Sequence, residues 1–370
     1  EYIYLYDGII RAKVIEVKPN VKAQIENSGT LSSRKGVNFP NTIIDIEVIT
    51  KKDEADIAWG VKNRVDYFAI SFVQNAKDMR RARELLGDYK GKLIAKIEKF
   101  DAVSNIDEII EVSDGIMVAR GDLGIEVPYY DVPTIQKMLI RKSNAKGIPV
   151  ITATQMLLSM TQNERATRAE ISDVANAVLD GTDIVMLSEE SAVGENPVNV
   201  VETMHNIISQ TEKIFDHEKR YKFTYLDEFD VIQATVTKLA DDLSADGILS
   251  LTSSGNSARK MSRYRPITPL YTFAHDKETL TGLTALWGVQ PITTVKEAQA
   301  SKMIQRMLRS LEKREILNKK GLYICTVGYP VGIPGSTNTI KILTPSEIEF
   351  YLNFKENREK IKTEKKVNLA

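Results

Sequence analysis

The sequence predicts an α/β protein organised around a (β/α) barrel-type sheet. Three observations predict it. Five short apolar runs between residues 65 and 188 alternate with amphipathic stretches, the pattern of parallel strands covered by helices. Each of the five ends on polar residues, at the edge where a barrel assembles its chemistry from several strands. A second set of apolar runs follows from about 229 to 345, so the chain is long enough for, and carries, more than one α/β unit.

In chain order, residues 1–38 alternate polar and apolar positions in short runs, YIYLYDG, IIRAKVIEV and KAQIENSG. Asp-Gly and Ser-Gly lie between the runs, the signature of antiparallel hairpins. The barrel-type strands are VDYFAISF (65–72), KLIAKIE (92–98), GIMVAR (115–120), IPVITAT (148–154) and TDIVMLS (182–188). Of the helices between them, TRAEISDVANAVLDG is the clearest: Thr167 and Glu170 form a capping box, and Gly181 suits the C-terminal stop. Ile171, Val174, Ala175, Val178 and Leu179 make its apolar stripe. The second region offers the strands GILSLTS (247–253), LYTFA (270–274), PITTV (291–295) and LYICTVG (322–328). The charged end, FKENREKIKTEKKVNLA, reads as a solvated helix or a frayed terminus.

Composition narrows the function. Fifty Lys and Arg balance fifty Asp and Glu, so no net charge draws the chain to nucleic acid or to a membrane surface. No apolar run approaches the roughly 20 residues of a membrane helix. The lone cysteine, Cys325, excludes an internal disulfide, suits a reducing cytoplasm, and sits in a strand where a buried structural thiol is expected. The three histidines, His205, His217 and His275, lie away from the strand ends.

The strand ends carry Ser71, Lys96 with Glu98, Arg120-Gly121-Asp122, Thr152 with Thr154, and Ser188 with Glu190. Ionised groups at the ends of buried strands are costly unless something there uses them. Glu98 and Asp122 are two hard carboxylates on neighbouring units, which suits Mg²⁺ or Mn²⁺ better than zinc. Lys96 shares a strand face with Glu98 and is placed to stabilise charge on a phosphoryl or enolate oxygen. Gly121 lets the backbone approach a small ligand, which the hydroxyls of Thr154 and Ser188 can bind. A single charged residue at a strand end is commonly only a salt bridge; five polar ends together weigh against that. Arg120 fits a phosphate clamp and a structural tie equally well. Ser71 reads as a supporting hydroxyl, because no base lies near it in sequence. In the second unit Thr252, Ser253, Ser254, Gly255, Asn256 and Ser257 form a loop before a basic helix. That loop fits either a phosphate cradle or an ordinary serine N-cap. The Gly- and Pro-rich stretch 328–339 is a loop able to fold over it.

LIAKIEKFDAV, DGIMVARGDLGIE, PVITATQMLLSM, TRAEISDVANAVLDGTDIVMLS and SRKGVNFP resemble segments of the pyruvate kinases, and the resemblance runs from residue 1 to about 345. It implies that 1–38 are the latter part of an inserted all-β lid and 39–216 hold strands four to eight of a (β/α)8 TIM barrel. Residues 217–346 would be a regulatory α/β domain and 347–370 a charged tail. The implied activity is glycolytic and cytoplasmic transfer of phosphate from phosphoenolpyruvate to ADP, giving pyruvate and ATP in a homotetramer that needs Mg²⁺ (or Mn²⁺) and K⁺. Lys96 would stabilise the phosphoryl group and the enolate, Thr154 would lie beside the protonation step, and Glu98 and Asp122 would hold the metal. Ala119, Arg120, Gly121, Asp122 and Thr154 would surround the substrate, with Ser71, Ser188 and Glu190 behind them, and Lys35 would approach the nucleotide phosphates. The loop 252–257 would grip a phosphorylated effector.

SEESAVG (188–194) departs from the family's Ser-Gly-Glu-Thr-Ala-Lys-Gly: Glu189, Ser191 and Val193 stand for Gly, Thr and Lys. The family's first three barrel strands, its nucleotide-side arginine, its K⁺ ligands and the start of its lid are expected ahead of Glu1. Five strands cannot close an eight-stranded barrel. The chain is therefore expected either to be completed by another piece or to be a non-catalytic binding and assembly fragment that keeps the effector domain.

Overall fold

Alternating runs separated by tight turns pair with their sequence neighbours, and the N-terminal region does so. A computed structural model describes residues 1–6, 8–33, 36–40, 42, 47–217, 222–297, 299–328 and 337–354. Strands β1 (Tyr2–Leu5), β2 (Ile10–Glu16), β3 (Lys22–Ile25) and β4 (Val37–Asn38) form one antiparallel sheet in the order β3-β2-β1-β4. Along β2 the pattern is the expected one, Ile10 and Ala12 buried, Arg11 and Lys13 exposed. Gly8, between β1 and β2, has φ +82°, and a Cβ there would come within 3.2 Å of Ile125. Asp7 of the expected Asp-Gly turn, and Lys35, lie outside the described residues.

The five apolar runs form one parallel sheet in chain order: β5 (Tyr67–Ile70), β6 (Lys92–Ile97), β7 (Gly115–Ala119), β8 (Val150–Ala153) and β9 (Ile184–Met186). Leu93, Ala95, Ile97, Ile116, Val118 and Val150 bury one face in a core that includes Met79, Ile109 and Leu139 of the covering helices. Each such side chain contributes about 1.5–3 kcal/mol when fully buried. Ile94, Met117 and Ile151 pack together separately, and by the two-residue period Lys96 shares the face of Ile94. A lysine thus ends the inner face of β6.

The opposite edge of this sheet is fastened by aspartates that open the strands. The carboxylate of Asp114, just before β7, takes the backbone N–H of Leu93 at 2.9 Å and an ion pair from Arg83. Asp183, just before β9, takes the N–H of Val150 at 3.1 Å. Each ties the start of its own strand to the start of the preceding one.

Two details depart from the sequence reading. Helix Arg168–Asp180 has the expected capping box, but its buried residues are Val174, Ala177 and Val178, while Ile171 and Leu179 are 40% and 39% exposed. The helix packs against Val132–Lys146 and Pro197–Glu212, which leave its Ile171 and Leu179 uncovered. Arg120 is not the last residue of a strand: Arg120–Glu126 is a short helix. With two glycines its intrinsic propensity is poor, so tertiary contacts described below hold it.

Contacts divide the chain into units Glu1–Phe215 and Asp216–Ala370. The second has its own sheet, β10 (Gly247–Thr252), β11 (Leu270–Ala274), β12 (Val289–Thr294), β13 (Tyr323–Gly328) and β14 (Thr337–Leu343), in the order β12-β11-β10-β13-β14. All neighbours are parallel except β14, which runs antiparallel along β13. β14 takes up the end of the stretch expected as a loop, whose residues 329–336 lie outside the described residues. As an edge strand it keeps Asn338, Thr339, Ile340 and Ile342 exposed, so its sequence lacks a buried-strand signature. Cys325 is fully buried, and burial pushes its thiol up to about 12. The charged tail starts later than residue 347: Pro345–Leu352 is a capped helix with Ile348 in the core, and residues 355–370 lie outside the described residues. No helix among the described residues is long and apolar enough to cross a membrane.

Asp114→Ala removes a charge-assisted anchor shared by two strands. We expect a loss of about 1.5–3 kcal/mol, measured as a lower urea midpoint with an unchanged m-value.

Candidate active site

Glu98 follows β6 and is 1% exposed. Its Oε1 receives the Lys96 ammonium at 2.7 Å, and its Oε2 receives the N–H of Phe72 at 2.6 Å. Phe72 reaches it by adopting φ +55°, a left-handed conformation just beyond β5. Lys96 also donates to Ser71 Oγ at 2.9 Å. Burial pushes the Glu98 carboxyl above the usual carboxylate range and the charge of Asp122 adds to it, while Lys96 and the Phe72 N–H pull the other way. Lys96, Glu98 and Ser71 therefore meet as their spacing predicts, with Asp122 close enough to act on Glu98.

The helix Arg120–Glu126 begins where β7 ends at the buried Ala119. The Arg120 guanidinium donates to Thr154 O at 2.7 Å, Ala153 O at 3.3 Å and Gln136 Oε1 at 3.4 Å, and pairs with Asp173 at 2.7 Å. These contacts tie Arg120 to the end of β8, and the same side chain lines a cavity beside Gly121, so both readings open from sequence keep a place in the structure. Gly121 donates its N–H to Thr154 Oγ1 at 2.8 Å, and that hydroxyl donates to Ala153 O at 2.7 Å. Thr154 and Gln155 hold φ +69° and +55° in succession, strain that this set of bonds sustains. A Cβ on Gly121 would meet nothing closer than 3.5 Å. Protein packing does not require the glycine, and it borders a cavity of about 910 Å³ that Tyr4 and Arg11 of the N-terminal sheet also line. Thr152 points elsewhere, hydrogen-bonded to Thr182 at 3.0 Å inside the core.

Beyond β9, Glu190 is 1% exposed and accepts the N–H groups of Ser188 at 2.7 Å and Leu157 at 3.2 Å. It joins the loop after β9 to the loop after β8. The three residues that depart from the family pattern, Glu189, Ser191 and Val193, are exposed. Glu170 holds the same β8 loop from the other side: its carboxylate accepts Ser159 N at 2.7 Å and Thr167 N at 2.8 Å.

In the second unit, Thr252 Oγ1 accepts the N–H of Gly255 at 2.9 Å, and Gly255 has φ +84°. Helix Asn256–Ser262 follows without any side-chain cap, so the serine N-cap reading is not the arrangement found. Ser254 and Asn256 are exposed, and Ser253 O accepts from Thr279 Oγ1 at 3.4 Å. Lys260 of this helix pairs with Asp227 at 2.5 Å, and the adjoining Arg263 with the buried Asp230, which fixes the segment after the loop.

Sequence reasoning missed Asp173 and Gln136, which occupy Arg120, and Glu126, a buried acid four residues after Asp122. That helical i, i+4 spacing was the available signal. Among the described residues no three His, Cys, Asp or Glu side chains converge as a ready-made metal cage. Glu98 and Asp122 still fit a hard divalent cation that keeps water and substrate as its other ligands, and a positive ion would relieve the burial and repulsion that raise Glu98.

Residues 1–201 match the family model for the pyruvate kinase barrel domain, and residues 230–343 that for its alpha/beta domain. The chain belongs to the pyruvate kinase family. It is similar to a pyruvate kinase of Bacillus licheniformis, 41% identical over 356 residues, covering 94% of this chain and 61% of that protein. Pyruvate kinases of Staphylococcus aureus strains MRSA252 and USA300 are 42% identical over 350 residues, covering 92% of this chain and 60% of theirs. The chain thus spans about three-fifths of the length of the curated relatives it matches. The five-stranded sheet is accordingly part of a pyruvate kinase barrel, with the family's α/β domain after it.

Burial alone would raise Glu170, but hydrogen bonds from Ser159 and Thr167 outweigh it and hold the group below the usual carboxylate range. A carboxyl lowered by folding adds stability that is fully present above its unfolded value and is lost as pH falls through the native one. The Tm difference between the wild-type chain and Glu170→Gln should therefore be constant at neutral pH and shrink on acidification through the glutamate range. A difference that does not vary with pH would show that the charge plays no part.

Proposed function

We propose that the chain carries the phosphoryl-transfer site of a cytoplasmic, glycolytic enzyme that converts phosphoenolpyruvate and ADP to pyruvate and ATP. The observation that carries this reading is Lys96, fixed between Glu98 and Ser71 at a barrel strand end beside a second carboxylate, in a member of the pyruvate kinase family. Phosphoryl transfer demands positioning and charge neutralisation more than covalent help from the protein. Glu98 and Asp122 would hold Mg²⁺ or Mn²⁺, which when bound supplies positive charge beside the phosphoryl and carboxylate oxygens of the substrate.

The chain's own groups do the rest. An ammonium has three N–H bonds; Lys96 directs two at Glu98 and Ser71, and the third serves the transferred phosphoryl oxygen and then the enolate. Ala119, Arg120, Gly121 and Asp122 border the substrate carboxylate, where the bare Gly121 leaves room, and Arg120 also holds Ala153 and Thr154 in place. Thr154, beside Gly121, lies next to the enolate as it takes up its proton. Ser188 and Glu190 keep the neighbouring loops in register. Lys35, outside the described residues, is assigned to the nucleotide phosphates. K⁺, a homotetramer and a phosphorylated effector at Thr252–Ser257 belong to the same reading, the last supported by a loop whose exposed Ser254 and Asn256 no helix cap engages.

The test is a coupled assay of the chain with phosphoenolpyruvate, ADP, Mg²⁺ and K⁺. Turnover would support the reading for the chain itself; in the enzyme completed by its remaining barrel strands, Lys96→Met should lower turnover by roughly 10²–10³-fold or more with the fold intact. A folded but silent wild-type chain would support the alternative of a binding and assembly fragment. Asp122→Asn should raise the Mg²⁺ concentration for half-maximal rate; an unchanged requirement would remove Asp122 from the metal site.

A further inference from the structure

Glu126 is buried, 4% exposed, yet its Oε2 accepts no hydrogen bond. Two elements converge on it. Asn38 of β4, in the lid sheet, donates from Nδ2 to its Oε1 at 3.3 Å. Lys99, the residue after Glu98, brings its ammonium to 3.9 Å from Oε2. Glu126 itself ends the helix whose first turn holds Gly121 and Asp122. The preceding residue, Ile125, is where the lid touches the same helix a second time, against Gly8. Seven residues make a rod of roughly 10 Å, short enough to move as one piece between the Arg120 clamp and this contact.

We infer that Glu126 is a positioning residue that latches the lid sheet to the substrate-facing helix, so that the lid's placement and the order of Gly121–Asp122 are one equilibrium. The inference rests on the phosphoryl-transfer reading for its purpose, but its physics does not. If the lid withdraws Asn38, a buried carboxylate loses the hydrogen bond it accepts among the described residues and is left there with a long ion pair. That penalty favours displacement of Glu126, and the helix goes with it. Coupling of this kind is reciprocal: whatever orders Gly121 and Asp122 also draws the lid down through Asn38.

Hydrogen exchange followed by mass spectrometry on the whole chain tests it. Asn38→Ala should speed exchange in residues 120–127 by roughly fivefold or more, including the amides of Gly121 and Val127, whose bonds to Thr154 and Leu123 lie at the two ends of the helix. Strands β7 and β8 should be unaffected. Asn38→Asp, which sets two carboxylates together, should act at least as strongly. Combining it with Glu126→Gln restores a hydrogen bond of reversed direction and should return the protection, a rescue that general loosening does not give. An unchanged helix in Asn38→Ala, or no rescue in the double variant, overturns the latch. Mg²⁺ addition separates the two readings. If the metal assignment holds, Mg²⁺ protects 120–127 in every variant but extends to lid residues 2–16 only where the latch is intact. If Mg²⁺ protects nothing, the metal assignment fails, while the metal-free comparison still decides the latch.

Discussion

A carboxylate shut inside a protein must be surrounded by donors or it will not stay charged, and Glu98 imposes that condition on its surroundings. Its two oxygens take Lys96 from its own strand and the Phe72 N–H from the next. The second of these forces Phe72 into a left-handed conformation, which brings Ser71 beside Lys96. The end of β5, the aim of the lysine and the place of the hydroxyl all follow from one buried acid. Desolvation still exceeds these compensations, since the group stays above its ordinary range.

The neighbouring loops meet the same demand by different means. Arg120 has an excess of donors and spends them on carbonyls of β8 and on Asp173. Those bonds hold Thr154 and Gln155 in their strained turn. Glu190 and Glu170 do the converse, gathering backbone N–H groups of adjacent loops around single carboxylates. Charged side chains here order the backbone, and the space they frame is left for a ligand.

Much of this was legible in the sequence because two periods dominate it. Uniformly apolar runs of strand length, each with a polar end, gave the parallel sheet, its order and the meeting of Lys96, Glu98 and Ser71. The Thr167–Glu170 spacing gave a helix start. What escaped notice depends on partners distant in sequence. The structural tie of Arg120 is invisible until Asp173, far along the chain, is brought beside it. The helix Arg120–Glu126 is held by tertiary contacts against its own propensity. Glu126 looks like any surface glutamate until Asn38 of the N-terminal sheet is brought against it. β14 is an edge strand, half solvated, and its pattern resembles a loop because nothing covers its outer side.

The strand-opening aspartates set a schedule for the chain as it is made. Asp114 secures Leu93 from 21 residues downstream, and Asp183 secures Val150 from 33. β6 and β8 can each pair with the strand made before them, but the Leu93 and Val150 amides have no carboxylate to donate to when they leave the ribosome; each waits for the aspartate that opens the following strand. At synthesis rates of about 5–20 residues per second the wait is roughly 1–7 s, long compared with hydrophobic collapse. During that interval the sheet grows with one apolar edge strand and one amide of it unclaimed, an opportunity for a chaperone and a hazard on a crowded polysome.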